Sequence, residues 1–166
     1  MRRPSPPRST TSALRWLTLR SAELRIDTGR TMVWGESAGG HLATLLALTH
    51  TTPHLAGAVI WYGPSDLTTP RGDFTPQDPA TPATPQALLL GGAPATLPEL
   101  ALAASPLTRV HPGAPPFLLI HGEDDTMVCR THSQDLTGAL KSVGADVALQ
   151  VIQGPTTAGR DCPRTE

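Results

Sequence analysis

Gly35-Glu36-Ser37-Ala38-Gly39-Gly40-His41 decides the fold, because of what stands on either side of it. Before it runs the apolar, strand-like Thr31-Met32-Val33-Trp34; after it a helix-like run begins at Ala38 and carries Leu42, Leu45, Leu46 and Leu48. A Gly-x-Ser-x-Gly turn in that context reads as a nucleophile elbow, in which the serine takes a strained backbone conformation that lifts its hydroxyl clear of the sheet. Gly35 and Gly39 leave room for so tight a turn. The same geometry aims the N–H of Ala38 at the place where a tetrahedral oxyanion forms, beside the positive end of the following helix. Acyl transfer is the chemistry this arrangement points to. A phosphate-binding loop is the rival for glycines in this position, and it fails: no Gly-Lys-Ser/Thr follows and no Gly-x-Gly-x-x-Gly spacing is present.

Outward from the elbow, strands and helices alternate. Leu14, Leu17 and Leu24, with Ala13 and Trp16, predict an amphipathic helix from Ser12 to about Leu24, ending before Asp27-Thr28-Gly29. Pro53 ends the elbow helix, and Gly57-Ala58-Val59-Ile60-Trp61 reads as a short buried strand. Phe117 to His121 is a third strand. Leu136, Ala139, Leu140 and Val143 then mark a helical face closed by Gly144, and Asp146 to Ile152 is a fourth strand. This rhythm predicts an α/β fold, a parallel sheet with helices on both faces.

The stretch from Pro64 to Pro106 breaks the rhythm, since half of the chain's 18 prolines fall in it. Proline removes N–H donors and resists regular ladders, so residues 62–106 are expected to form a lid-like insertion off the sheet. A disordered linker is the alternative, suggested by the Pro/Thr/Ala-rich run from Thr75 to Pro85; the apolar pieces Ala87 to Leu90 and Leu97 to Ala104 argue for packing. Residues 1–11 read as a disordered, basic, proline-rich N-terminus, 12–152 as one domain, and 153–166 as an irregular tail.

The chain has 166 residues and a formal net charge of −1. No basic stripe matches a nucleic-acid backbone, and no stretch approaches the ~20 consecutive apolar residues of a membrane span. Neither nucleic acid nor membrane is therefore an expected partner. No secretion signal is recognisable at the N-terminus. The two cysteines, Cys129 and Cys162, make no disulfide framework, and Cys129 with His132 offers only two ligands where zinc needs more. No metal and no cofactor are expected, and a reduced, cytoplasmic setting is.

A second chemical cluster, His121-Gly122-Glu123-Asp124-Asp125-Thr126-Met127-Val128, follows the third strand directly. Loops at the carboxyl ends of parallel strands build active sites, and a serine nucleophile needs a carboxylate to orient its histidine. Glu123, Asp124 and Asp125 all qualify on position alone.

With both clusters read, the chain resembles the alpha/beta hydrolases of the hormone-sensitive-lipase-like and feruloyl-esterase-like branch, which includes carboxylesterases and arylformamidases. The resemblance runs from about Ala13 to Ile152. It rests on the elbow, Trp61-Tyr62-Gly63-Pro64-Ser65-Asp66-Leu67, Ala104-Ser105-Pro106-Leu107 and Pro115-Pro116-Phe117-Leu118-Leu119-Ile120-His121-Gly122. The family's acid stands three residues after the His-Gly pair and three before a valine, which selects Asp125. The resemblance thus implies Ser37 as nucleophile, Asp125 as catalytic acid, the Ala38 N–H as oxyanion donor, and a small acyl compound as substrate.

Two expected parts do not match. Where the family carries its histidine, this chain has Gln153-Gly154-Pro155-Thr156-Thr157-Ala158-Gly159-Arg160, and no histidine follows His132. The family's upstream His-Gly-Gly-type oxyanion loop has no counterpart before Ser12. The resemblance therefore implies a truncated hydrolase fold that keeps the second half of the family's sheet, with the strand before Ser37 as an edge that invites self-association. His41 and His121 are expected to be structural, and His50, His54, His111 and His132 have no evident approach to Ser37. The expected function is a carboxylesterase-type serine hydrolase working through an acyl-serine; the alternative is a catalytically inactive remnant that acts by binding or chain association.

Overall fold

The computed structural model describes residues 10–49, 55–71 and 84–154. Four parallel strands, β1 (Met32–Glu36), β2 (Gly57–Trp61), β3 (Phe117–Gly122) and β4 (Val147–Ile152), lie side by side in the order of the sequence. The helices are α1 (Thr10–Leu19), α2 (Ser21–Leu24), α3 (Ser37–Thr49), α4 (Pro85–Leu90), α5 (Pro98–Ala104) and α6 (Thr131–Ser142). The expected parallel α/β architecture is present.

Strand order explains where the helices go. A crossover between parallel strands is right-handed in nearly all proteins, so a chain that steps always the same way across its sheet puts every connecting helix on the same side. Ala58 pairs with Phe117 and Ile60 with Leu119, so these four point to one face. All four are at most 3% exposed and share one core with Ala43, Leu46 and Ala47 of α3, Leu136 and Leu140 of α6, and Leu14 of α1. Burying each large apolar side chain contributes about 1.5–3 kcal/mol, which makes this layer the source of the fold's stability. The alternate residues point the other way: Met32 and Trp34 are 56% and 66% exposed, and Val59, Trp61, Leu118 and Ile120 are partly exposed. Of the described helices, α1, α3 and α6 supply the residues that pack in the sheet's main core.

Local chemistry sets the element ends. The Thr84 side chain accepts from the Ala87 N–H at 3.2 Å, Pro85 opens α4, and Gly91 closes it at φ 79°. A threonine cap, proline at the first position and glycine past the end are what a short helix requires. Leu90 then packs with Leu67 and Ala101 in a small core separate from the main one. Of the Thr75–Pro85 run, only Thr84 and Pro85 lie within the described residues. The single helix expected over Ser12–Leu24 is instead α1 and α2, broken at Arg20, whose φ of −112° and ψ of 12° leave the helical region. No described helix is long and apolar enough to cross a membrane. Cys129 is buried, 2% exposed, just ahead of α6.

Candidate active site

β1 ends at Glu36 and α3 begins at Ser37, with no residue between them. So abrupt a reversal puts Ser37 at φ 50°, in the left-handed region that a residue with a side chain seldom occupies. Gly35 makes it sterically feasible, because a Cβ there would run into the carbonyl of Gly39. Ser37 is partly exposed, and Ala38 and Gly39 are exposed, so the turn is open to a ligand. The Ala38 N–H belongs to the first turn of a 13-residue helix, where backbone donors have no partner within the helix. The elbow expected from the sequence is thus present, extended two residues further along the strand than the apolar run suggests.

The adjacent strand repeats the strain. Glu36 pairs with Trp61, so Tyr62 stands beside Ser37, and Tyr62 too is left-handed, at φ 39°. The Tyr62 hydroxyl donates to Glu36 Oε2 at 2.8 Å. Partial burial, that hydrogen bond and the charges of Glu36 and Asp125 push its pKa up to about 12, so the phenol keeps its proton. Next to it, a Cβ on Gly63 would lie 2.9 Å from the Gly40 carbonyl carbon, so the β2 loop and the first turn of α3 are in backbone contact. Nothing in the local sequence marks Tyr62 as strained; only the register beside the elbow does.

At the end of β3, Glu123 and Asp124 are exposed while Asp125 is 2% exposed. Asp125 Oδ1 accepts the N–H groups of Met127 and Val128 at 3.0 and 2.9 Å, which fixes the carboxylate on its own turn. His121 Nε2 lies 3.8 Å from Asp125 Oδ2, too far for a hydrogen bond. Instead Nε2–H donates to the Val128 carbonyl at 2.8 Å, and Nδ1 accepts the Ser133 hydroxyl at 2.8 Å. Burial holds the His121 pKa below its ordinary value, so the ring is neutral and positions the turn as a polar strut.

Two more histidines serve the loop after β2. His41 Nδ1–H donates to the Pro64 carbonyl at 3.0 Å, while its Nε2 is buried with no hydrogen-bond partner; burial lowers its pKa. His132 Nδ1 accepts the N–H groups of Ser65 and Asp66 at 3.2 and 3.4 Å, and its carbonyl accepts the Ser65 hydroxyl at 2.7 Å. Expected to have no evident approach to the site, His132 is in fact buried beneath the loop beside it. His111 Nδ1 accepts the Gly113 N–H in a surface loop, and His50 and His54 lie outside the described residues.

The same loop is tied on two further sides. Leu67 N–H donates to Ser105 Oγ and Leu107 N–H to the Ser65 carbonyl, both at 2.8 Å. Arg71 bridges Asp66 at 3.0 Å and Asp135 of α6 at 2.7 Å. Burial alone would raise the Asp66 pKa; hydrogen bonds from Thr68 and Arg71 hold it well below the usual carboxylate range. The four sequence runs that carry the family resemblance therefore converge at the carboxyl end of the sheet, with Ser37 and Asp125 on loops of strands separated by β2.

Comparison with known proteins agrees with this geometry. The family model BD-FAE matches residues 2–140. Esterase LipQ of Mycobacterium tuberculosis is 32% identical over 144 residues, which are 80% of this chain and 33% of LipQ. Among solved structures, a truncated form of a carbohydrate esterase from gut microbiota superposes with a TM-score of 0.75 at 24% identity, over 87% of this chain and 58% of that one. A bifunctional GH43-CE protein of Bacteroides eggerthii gives a TM-score of 0.70 at 30% identity, over 87% of this chain and 23% of its own. The chain spans about a third of the length of the curated relatives it matches. With the elbow, the parallel sheet and the matched residues in agreement, the chain belongs to the BD-FAE family of esterase-like alpha/beta hydrolases.

Proposed function

We propose that the chain carries the nucleophile and acid of a carboxylesterase-type serine hydrolase. Ser37 Oγ attacks the carbonyl carbon of a carboxylic ester as its proton leaves to a base. The carbonyl oxygen becomes an oxyanion that accepts the Ala38 N–H, and collapse of the tetrahedral adduct expels the alcohol and leaves an acyl-serine. Water then releases the acid by the same steps. Asp125 is the carboxylate that orients and stabilises a protonated histidine. The observation that carries this reading is the left-handed Ser37 at a junction with no connecting residue, strain of a kind that collects at functional sites. The hydroxyl-anchored Tyr62 beside it supports a built site rather than a passing turn.

His121 has both ring nitrogens engaged, and His41 and His132 brace the β2 loop, so the described residues assign no base to Ser37. Intact-mass detection of fluorophosphonate labelling, on the wild-type chain and on Ser37→Ala, tests the proposal. One label that is lost in the variant is the expected result, and implies a base within reach of Ser37. A folded wild-type chain that takes no label overturns it.

A further inference from the structure

Ser37 and Tyr62 are two of the three residues other than glycine that take a left-handed backbone among those described. The register of β1 on β2 sets them side by side, each one step past the Glu36 and Trp61 pair. Tyr62 keeps its place in the sheet as it turns, its N–H donating to the Ile120 carbonyl of β3 at 2.9 Å. The turn brings Gly63 onto the start of α3. A Cβ on Gly63 would come within 3.1 Å of the His41 backbone nitrogen, and one on Gly40 within 3.1 Å of both the Gly63 Cα and the Trp61 carbonyl oxygen, so only a pair of glycines lets the two backbones lie so close. The Tyr62 side chain, meanwhile, reaches to the other side of Ser37, where its hydroxyl donates to the Glu36 carboxylate.

Residues 62 and 63 thus hold the elbow at two points, Glu36 ahead of Ser37 and Gly40 behind it, with the strained serine between them. Strain of this kind persists only where the surroundings over-determine it. A serine released from it would carry Oγ away from its line of attack and out of step with the Ala38 N–H. Because burial and the bond to Glu36 keep the phenol protonated, Tyr62 is a donor here and not the base that Ser37 requires. We propose that Tyr62 is a positioning residue for the nucleophile: its hydroxyl, anchored on Glu36, clasps the junction of β1 and α3 so that Ser37 Oγ and the Ala38 N–H keep the geometry for attack on an acyl carbon. This inference rests on the reading of Ser37 as the nucleophile.

The rate of fluorophosphonate labelling, followed by intact mass at several reagent concentrations, tests the clasp, with circular dichroism melts to check that each variant folds. Tyr62→Phe keeps the ring and removes the hydroxyl; it is expected to lower the limiting rate about tenfold or more and to leave the half-saturating concentration little changed. Glu36→Ala should lose as much, and Glu36→Gln, which keeps an acceptor, should recover most of that loss. Tyr62→Phe combined with Glu36→Ala should be no slower than either alone, since both remove one hydrogen bond. Tyr62 is the chain's only tyrosine, so an isotope label on its Cζ gives a single resonance, which should report ionisation at lower pH in Glu36→Ala than in the wild type. A wild-type labelling rate in Tyr62→Phe overturns the clasp and leaves Ser37 as nucleophile. So do losses that multiply in the double variant, a Glu36→Gln as slow as Glu36→Ala, or a tyrosine that titrates alike with and without Glu36. A folded wild-type chain that takes no label overturns the nucleophile itself, and the clasp with it.

Discussion

The two faces of the sheet are made of the same kinds of residue and meet different fates. Ile60 and Leu119 are 1% and 0% exposed beneath α3 and α6; one position along, Trp61, Leu118 and Ile120 are no less apolar, yet keep part of their surface open, and Trp34 is 66% exposed. Alternation between apolar and polar positions, the mark of a sheet with one wet face, is missing from β2 and β3. Near-continuous apolar runs are instead the mark of parallel strands covered on both sides. The difference teaches that strand composition records what a sheet is suited to bury, whereas strand order and crossover hand decide which face the connecting helices bury.

Paired truncations should separate the faces most sharply. Leu119→Ala is expected to cost about 2–5 kcal/mol in urea unfolding, and Leu118→Ala, its neighbour on the open face, about 1 kcal/mol or less. Equal losses would mean that the open face is covered in solution. A smaller effect comes from pH. Burial lowers the pKa of His41 and of His121 in the folded chain, so the unfolded chain binds more protons as pH falls through the ordinary histidine value of 6.5. Stability contributed by the two neutral rings should be full above that value and decline below it, and melts at pH 7.5 and 5.5 would read the decline; replacing His121 with Gln should shrink it. The smallest effect is expected at the edge. Trp34→Thr should change stability by no more than about 0.5 kcal/mol, since it removes a side chain that packs against little.

What the sequence made legible was local. The Ser37 elbow and all four strands were readable because turn glycines and apolar runs act within a few residues of themselves. Asp125 was not separable from Asp124 and Glu123 on local grounds. Its burial follows from a turn that closes onto Val128 and His121, contacts that only the folded loop creates. Tyr62 and His132 were illegible for the same reason at longer range: one is strained by standing beside Ser37 on the next strand, the other is claimed by backbone groups more than sixty residues away.

An edge strand also sorts its own backbone protons. Along β1, the amides of Val33 and Gly35 point into the ladder with β2 and must wait for the strands to part before they exchange with solvent. Those of Met32, Trp34 and Glu36 point outward and need no such event. A residue-by-residue deuterium record of these five positions should therefore alternate slow and fast in the isolated chain, and lose its alternation wherever a second strand settles against the edge.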